Sequence, residues 1–233
     1  MHLPARWGLG AVGAGVTMIV GLEVASLGEM NLLRRTISEH GLGPDAWIFG
    51  TGVVLLAIGS AAIGLSLARR RLAGLIGLLA LLAWSAGLLL AGLFHKHDWS
   101  VGPSMSGSIH RFGSFLAFLC LPLAVVIIAR PWRGRERRPA SLVAFGFGIC
   151  SVLYVAAMGV AMYIGAQQGL PWYRIMPLGL VERGLAIVEV AGLIALGVWA
   201  AAKRLGGGGG ERGDEIVDVA AEDGRHVHPV RVD

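Results

Sequence analysis

The chain has 233 residues, is 55% hydrophobic and only 15% charged, and carries a formal charge of +5; its mean hydropathy is +0.68. Soluble domains give about a quarter of their residues to charge, so this deficit argues against one water-soluble core that buries every apolar run. Lys and Arg fall in short clusters between the apolar runs, a pattern that suits membrane topology and argues against nucleic acid as a partner.

A membrane span needs about 20 apolar residues, because the hydrocarbon slab is about 30 Å thick and a helix rises about 1.5 Å per residue. Six segments qualify, at about 7–28, 46–68, 73–94, 109–129, 140–166 and 181–202. Backbone polar groups find no water in hydrocarbon, so each run is predicted to be a helix. The predicted fold is all-α, a polytopic membrane protein whose six-transmembrane-helix bundle covers residues 1–204.

The first run is too long for a signal-peptide core and is read as a retained helix. It holds Gly8, Gly10, Gly13 and Gly15, small residues of the kind that let helices approach closely in lipid, and ends near Glu23. The polar segment Arg34 to Asp45 leads to the second run. Trp84 lies deep in the third, which closes on Phe94-His95-Lys96-His97-Asp98; the fourth opens at His110-Arg111. Cys120 and Cys150 sit in mid-run and read as packing residues. The sixth run carries Glu182, Arg183 and Glu189. From residue 205 to 233 five glycines precede a tail with seven acids and three arginines, a composition that predicts disorder.

With the N-terminus inside, the cytoplasmic side holds eleven cations, among them Arg6, Arg69, Arg70, Arg71 and Arg130 to Arg138; the other side holds six, Arg34, Arg35, Lys96, Arg111, Arg174 and Arg183. The positive-inside rule therefore predicts both termini in the cytoplasm. Trp47, Trp99 and Trp172 at one boundary and Trp7, Trp132 and Trp199 at the other have the spacing of two aromatic belts.

In that topology the chemistry-bearing side chains gather at the outer face. Glu189 is the most costly. It lies about 12 Å below the outer boundary and should face the bundle interior, because insertion of an acid at such depth costs about 2.5–3.5 kcal/mol. Glu182, seven residues earlier, shares its helical face, and Glu23 approaches a similar depth from the first span. These acids suit a polar pocket or a proton path. His95, His97, Asp98 and His110 offer the imidazole and carboxylate groups that zinc or copper takes, and a metal-bound water there would make a membrane hydrolase. A solvated charged loop is the plainer reading of the same residues.

The segment Arg35-Thr36-Ile37-Ser38-Glu39-His40-Gly41, the run Gly92-Leu93-Phe94 with Asp98 and then His110, and Gly179-Leu180-Val181-Glu182-Arg183 together resemble a bacterial membrane family catalogued as domain of unknown function 998. The resemblance spans about residues 7–202. His95 departs from it, standing where the family carries proline. The family implies a six-helix bundle and no established activity. Its motif residues, Ser38, Asp98, His110, Glu182 and Arg183, fall in the outward cluster, and Glu182 and Arg183 would pair there with the other outer loops.

The sequence thus leads to a multi-pass protein of a bacterial plasma membrane, without cofactor, that binds membrane lipid or a small amphiphile in an outward pocket formed by Glu23, Ser38, Asp98, His110, Glu182, Arg183 and Glu189. The alternatives are a metal-dependent hydrolase using His95, His97, Asp98 and His110, and a proton-coupled carrier using Glu189 and Glu23. Substrate, protein partners and oligomeric state leave no trace in the residues.

Overall fold

A computed structural model describes residues 3–98, 100–133, 139–170 and 175–202. The glycine-rich and acidic tail, the belt residues Trp99 and Trp172, and Arg135, Arg137, Arg138 and Arg174 lie outside the described residues. Those described are helical, with no strand among them: α1 (Leu3–Ala25), a short 3-10 helix (Ile37–Leu42), α2 (Ala46–Arg69), α3 (Leu75–Leu93), α4 (Met105–Ala129), a 3-10 turn (Pro131–Arg133), α5 (Pro139–Gln167) and α6 (Leu178–Ala201). All six α-helices are long and apolar enough to cross a bilayer. This is a multi-pass membrane protein.

The helix ends differ from the predicted spans by up to four residues, each for a local reason. Pro4 lies in the first described turn of α1, where its missing N–H is no loss. α4 starts at Met105 because the hydroxyl of Ser104 accepts the N–H of Gly107 at 3.0 Å, an N-cap outside the apolar run. α6 starts at Leu178 because the carbonyl of Leu33 accepts the N–H groups of Gly179 and Leu180, which have no partner within their own helix. At the end of α2 the chain reverses on Arg71, left-handed at φ 58, with N–H bonds from Leu72 to Leu67 and from Arg71 to Ala68 that complete the usual C-terminal turn.

Each helix packs on its neighbours in the chain, and α6 closes the ring onto α1 while also touching α2 and α4. Lipid gives no hydrophobic push between helices, so close approach decides the contacts. Glycines supply it: Gly8 faces Gly59 and Gly15 faces Gly52 across α1 and α2, Gly50 faces Gly92 across α2 and α3, and Gly87 faces Gly113 across α3 and α4. α5 is the least covered helix and turns Leu142, Val143, Leu153, Val160 and Tyr163 outward.

Trp84, the one deep tryptophan, is accounted for by Ser60. Its indole N–H donates to the Ser60 hydroxyl at 2.9 Å, which donates in turn to the carbonyl of Leu56 at 2.6 Å. Ser60→Ala should cost about 1–3 kcal/mol, because it strands a buried N–H in hydrocarbon; Trp84→Phe with Ser60→Ala should cost less than the two single changes added together. Equilibrium unfolding in mixed micelles measures both. Trp7, Trp47 and Trp132 are exposed as belt residues should be, whereas Trp199 is 3% exposed and sits in the core, not in the belt expected for it. The reason is that α6 is central at this end: Arg70 donates to the carbonyls of Trp199 and Ala200 at 3.0 and 2.7 Å and caps the helix.

Candidate functional site: the outer end of the bundle

The end bearing the α1–α2 and α3–α4 connections is called the outer end here, after the charge distribution. Arg183, in the second turn of α6, organises it. Its Nε and Nη2 donate to Oε2 and Oε1 of Glu23 on α1, at 2.7 and 2.9 Å, a bidentate pairing that fits the planar guanidinium. Nη1 donates to the carbonyls of Leu32, Arg35 and Gly179 at 2.9, 2.6 and 2.9 Å. Glu23 Oε1 also lies 3.2 Å from His40 Nε2. One cation thus joins two helices to the loop between α1 and α2, and the Arg183 and Glu23 side chains are only 15% and 17% exposed.

Glu182 adds a second tie. Its Oε2 accepts the N–H of Ile37 at 2.9 Å, capping the short 3-10 helix from a residue 145 positions away. Lys96, between α3 and α4, donates to the Thr36 hydroxyl at 2.9 Å and stands 3.6 Å from Glu39. The Ser38 hydroxyl shares a hydrogen bond with Thr36 at 3.1 Å. Arg35 reaches Glu39 at 3.4 Å but is 63% exposed, so that pair is worth little. The pairing expected of Glu182 and Arg183 with two outer loops is therefore met in the α1–α2 loop. The α3–α4 connection joins the network through Lys96.

The other predicted site residues stand apart from Arg183. Asp98 is exposed and accepts the backbone N–H and hydroxyl of Ser100 at 2.9 and 2.6 Å; these bonds hold its carboxyl below the usual range, so it is charged at neutral pH. His97 is buried, and its Nδ1 accepts the N–H of Ser104 at 3.0 Å. His110 places Nδ1 2.9 Å from the carbonyl of Phe94; a carbonyl only accepts, so Nδ1 carries the proton and Nε2 is an acceptor when the ring is neutral. His95 is exposed. Among the described residues no three His, Cys, Asp or Glu side chains gather as an ion would require, so His95, His97, Asp98 and His110 do not form the ligand set their spacing suggests.

Beside the network a cleft of about 20 Å³, room for a single water, opens between Gly41, Phe49, Phe94, Lys96 and His110. Aromatic walls meet one ammonium, Lys96, and two imidazoles, His95 and His110, there. Glu189 belongs to neither cleft nor network. It is 1% exposed at the middle of α6, and neither carboxyl oxygen has a hydrogen-bond partner. The single outer pocket expected for Glu23, Glu182 and Glu189 is thus two arrangements at different depths.

The sequence placed Glu23, Glu182 and Arg183 at the outer face but passed over the roles of His40, Thr36 and Lys96. Their partners are set by tertiary packing, and no spacing announces them.

Comparison with known proteins adds one match. The model of a family described as Protein of unknown function (DUF998) matches residues 10–199. No curated protein and no solved structure matches.

Proposed function

We propose, on the premise that the chain belongs to the DUF998 family, that this integral membrane protein binds the anionic head of a lipid or small amphiphile at its outer end. The cleft between α2, α3 and α4 carries the reading: Phe49 and Phe94 supply apolar walls, Lys96 supplies the donor for an acidic head, and His110 lines the cleft with its Nδ1–H already given to Phe94. In its present closed form the cleft admits only water, and Lys96 is held by Thr36 and Glu39. An acidic head that displaced Glu39 from Lys96 would also loosen the segment Thr36–Leu42, which connects the cleft to the Arg183 network. The reading takes both termini as cytoplasmic and the membrane as the plasma membrane, in keeping with the arginine excess at the other end. The protein is then a binding protein, not an enzyme. The hydrolase alternative loses its support because His97, Asp98 and His110 turn to three different backbone partners.

Photo-crosslinking with a diazirine fatty acid, and with its methyl ester as control, tests this. The acid should label peptides containing Phe94 to His110 several-fold more than the ester does, and Lys96→Gln should remove the difference. Equal labelling by acid and ester, or labelling spread evenly over the lipid-facing helices, contradicts the reading.

A further inference from the structure

Glu189 lies eleven residues from the start of α6 and twelve from its end, hence about 16 and 18 Å from either mouth. Helix register fixes its surroundings. Gly184 lies against Tyr154 and Gly192 against Phe147 of antiparallel α5, which sets Glu189 level with Ile149 and Cys150. Gly192 also meets Val125 of α4, which runs parallel, so the same level falls at Pro122. Gly197 meets Leu9 of α1 and Ile63 of α2, which brings Thr17 and Leu55 to that depth.

The titratable side chains within about two turns of that level on the packed helices are Cys120 on α4, Cys150 and Tyr154 on α5, and Glu23 on α1, with Glu182 and Arg183 on α6 itself; α2 offers none. Glu23 and Arg183 already pair with each other. Among the described residues Glu189 therefore faces no free cation. An ionised carboxylate without a hydrogen bond in hydrocarbon is among the costliest groups a helix can carry. Two features make the level suited to the protonated form. Pro122 has no N–H and frees the carbonyl of Phe118 from its helical bond, on a buried face of α4. Ser151 of α5 is buried within two residues of that level. Either gives a carboxylic O–H an acceptor after a rotamer change.

We propose that Glu189 is a proton-exchange site at the middle of the bundle, reached from the outer end through Glu182. Glu182 lies two turns above it on the same helical face, with its carboxyl at the Ile37 junction. The step moves one proton from water at the outer mouth to Glu182 and on, relayed by water admitted over the roughly 10 Å between the two carboxyls, to a carboxyl oxygen of Glu189; each O–H bond broken is matched by one formed, and release is the reverse. This inference rests on the packing of α6 and is independent of the amphiphile reading, so a cleft that binds nothing leaves it standing.

A hydrophobic carbodiimide, which reacts with protonated carboxyls in lipid, is the probe, used on full-length protein in vesicles with the adduct located by mass spectrometry. The adduct should form at Glu189 and fall about tenfold per pH unit above the group's midpoint, and Glu189→Gln should remove it from that peptide. Infrared spectra should show a carboxylic C=O band that shifts on transfer to heavy water, is absent in Glu189→Gln, and shifts many-fold more slowly in Glu182→Gln. A structural acid sealed in the core would show no such shift. Folded protein without an adduct at Glu189, an adduct independent of pH, or a band that never exchanges would overturn the proposal; exchange unchanged in Glu182→Gln would overturn the route.

Discussion

Arg183→Met is expected to destabilise the folded protein by about 2–4 kcal/mol, a cost typical of removing one partner from a largely buried ion pair, reduced slightly for the water that reaches it. Most of the loss comes from what remains. The Glu23 carboxylate would keep only His40 at 3.2 Å, and the carbonyls of Leu32, Arg35 and Gly179 would lose their common donor. Arg183→Lys should recover less than half of it, because an ammonium cannot fork onto Glu23 and still reach three carbonyls. Glu23→Gln should be milder, since the amide oxygen still accepts from the guanidinium. The measurement is the unfolding midpoint in mixed micelles, alongside protease cleavage between Leu32 and Leu42. Cleavage should accelerate in Arg183→Met before global unfolding does, since the α1–α2 segment is tied down by α6.

The second large effect is a pair of opposite signs for one substitution. Gly87→Ala should destabilise by about 1–3 kcal/mol and Gly87→Leu by more, because overpacking forces backbones apart. A methyl group at Gly87 would stand 2.6 Å from the carbonyl oxygen of Gly113 and 2.8 Å from the backbone nitrogen of Ala117; neither neighbour can rotate away. Gly10→Ala and Gly146→Ala meet nothing within 4 Å, so they should be neutral or stabilise by about 0.5–1 kcal/mol through helix propensity. Unfolding titrations of the three alanine variants under one condition test the point. A destabilised Gly10→Ala beside a neutral Gly87→Ala would contradict the packing of α3 on α4.

Why the spans were legible and the site was not follows from the two solvents. In hydrocarbon an apolar run has one option, a helix, and six runs therefore give six helices. At the water boundary the chain has choices, and the Ser104 hydroxyl and the Leu33 carbonyl moved two helix starts outward by accepting first-turn N–H groups of α4 and α6. The same applies to the His95–His110 region. Three imidazoles and a carboxylate within sixteen residues suggest a metal, yet His97 turns inward to Ser104, Asp98 outward to Ser100, and His110 toward Phe94. Backbone direction, which sequence spacing does not encode in a loop, separates them.

Glu189 shows the complementary case. Its cost in lipid predicts an inward-facing side chain, and the structure agrees. Its depth is greater than expected, because α6 begins three residues before the apolar run suggests. Glu23 looked like its counterpart by distance from a membrane boundary, but the antiparallel register of α1 and α6 brings Glu23 to Arg183. The partnership that sequence order suggested for two acids is replaced by an acid and a cation.

Everything assigned to the outer end depends on which side of the membrane it faces. Cys120 and Cys150 are free thiols, so both are first changed to alanine, and single cysteines are placed at Val101, 87% exposed between α3 and α4, and at Arg69 at the far end of α2. A membrane-impermeant maleimide applied to intact cells should label Val101→Cys and leave Arg69→Cys untouched until the membrane is permeabilised. Labelling of Arg69→Cys in intact cells, with Val101→Cys protected, would place the Arg183 network and the cleft on the cytoplasmic side and contradict the account.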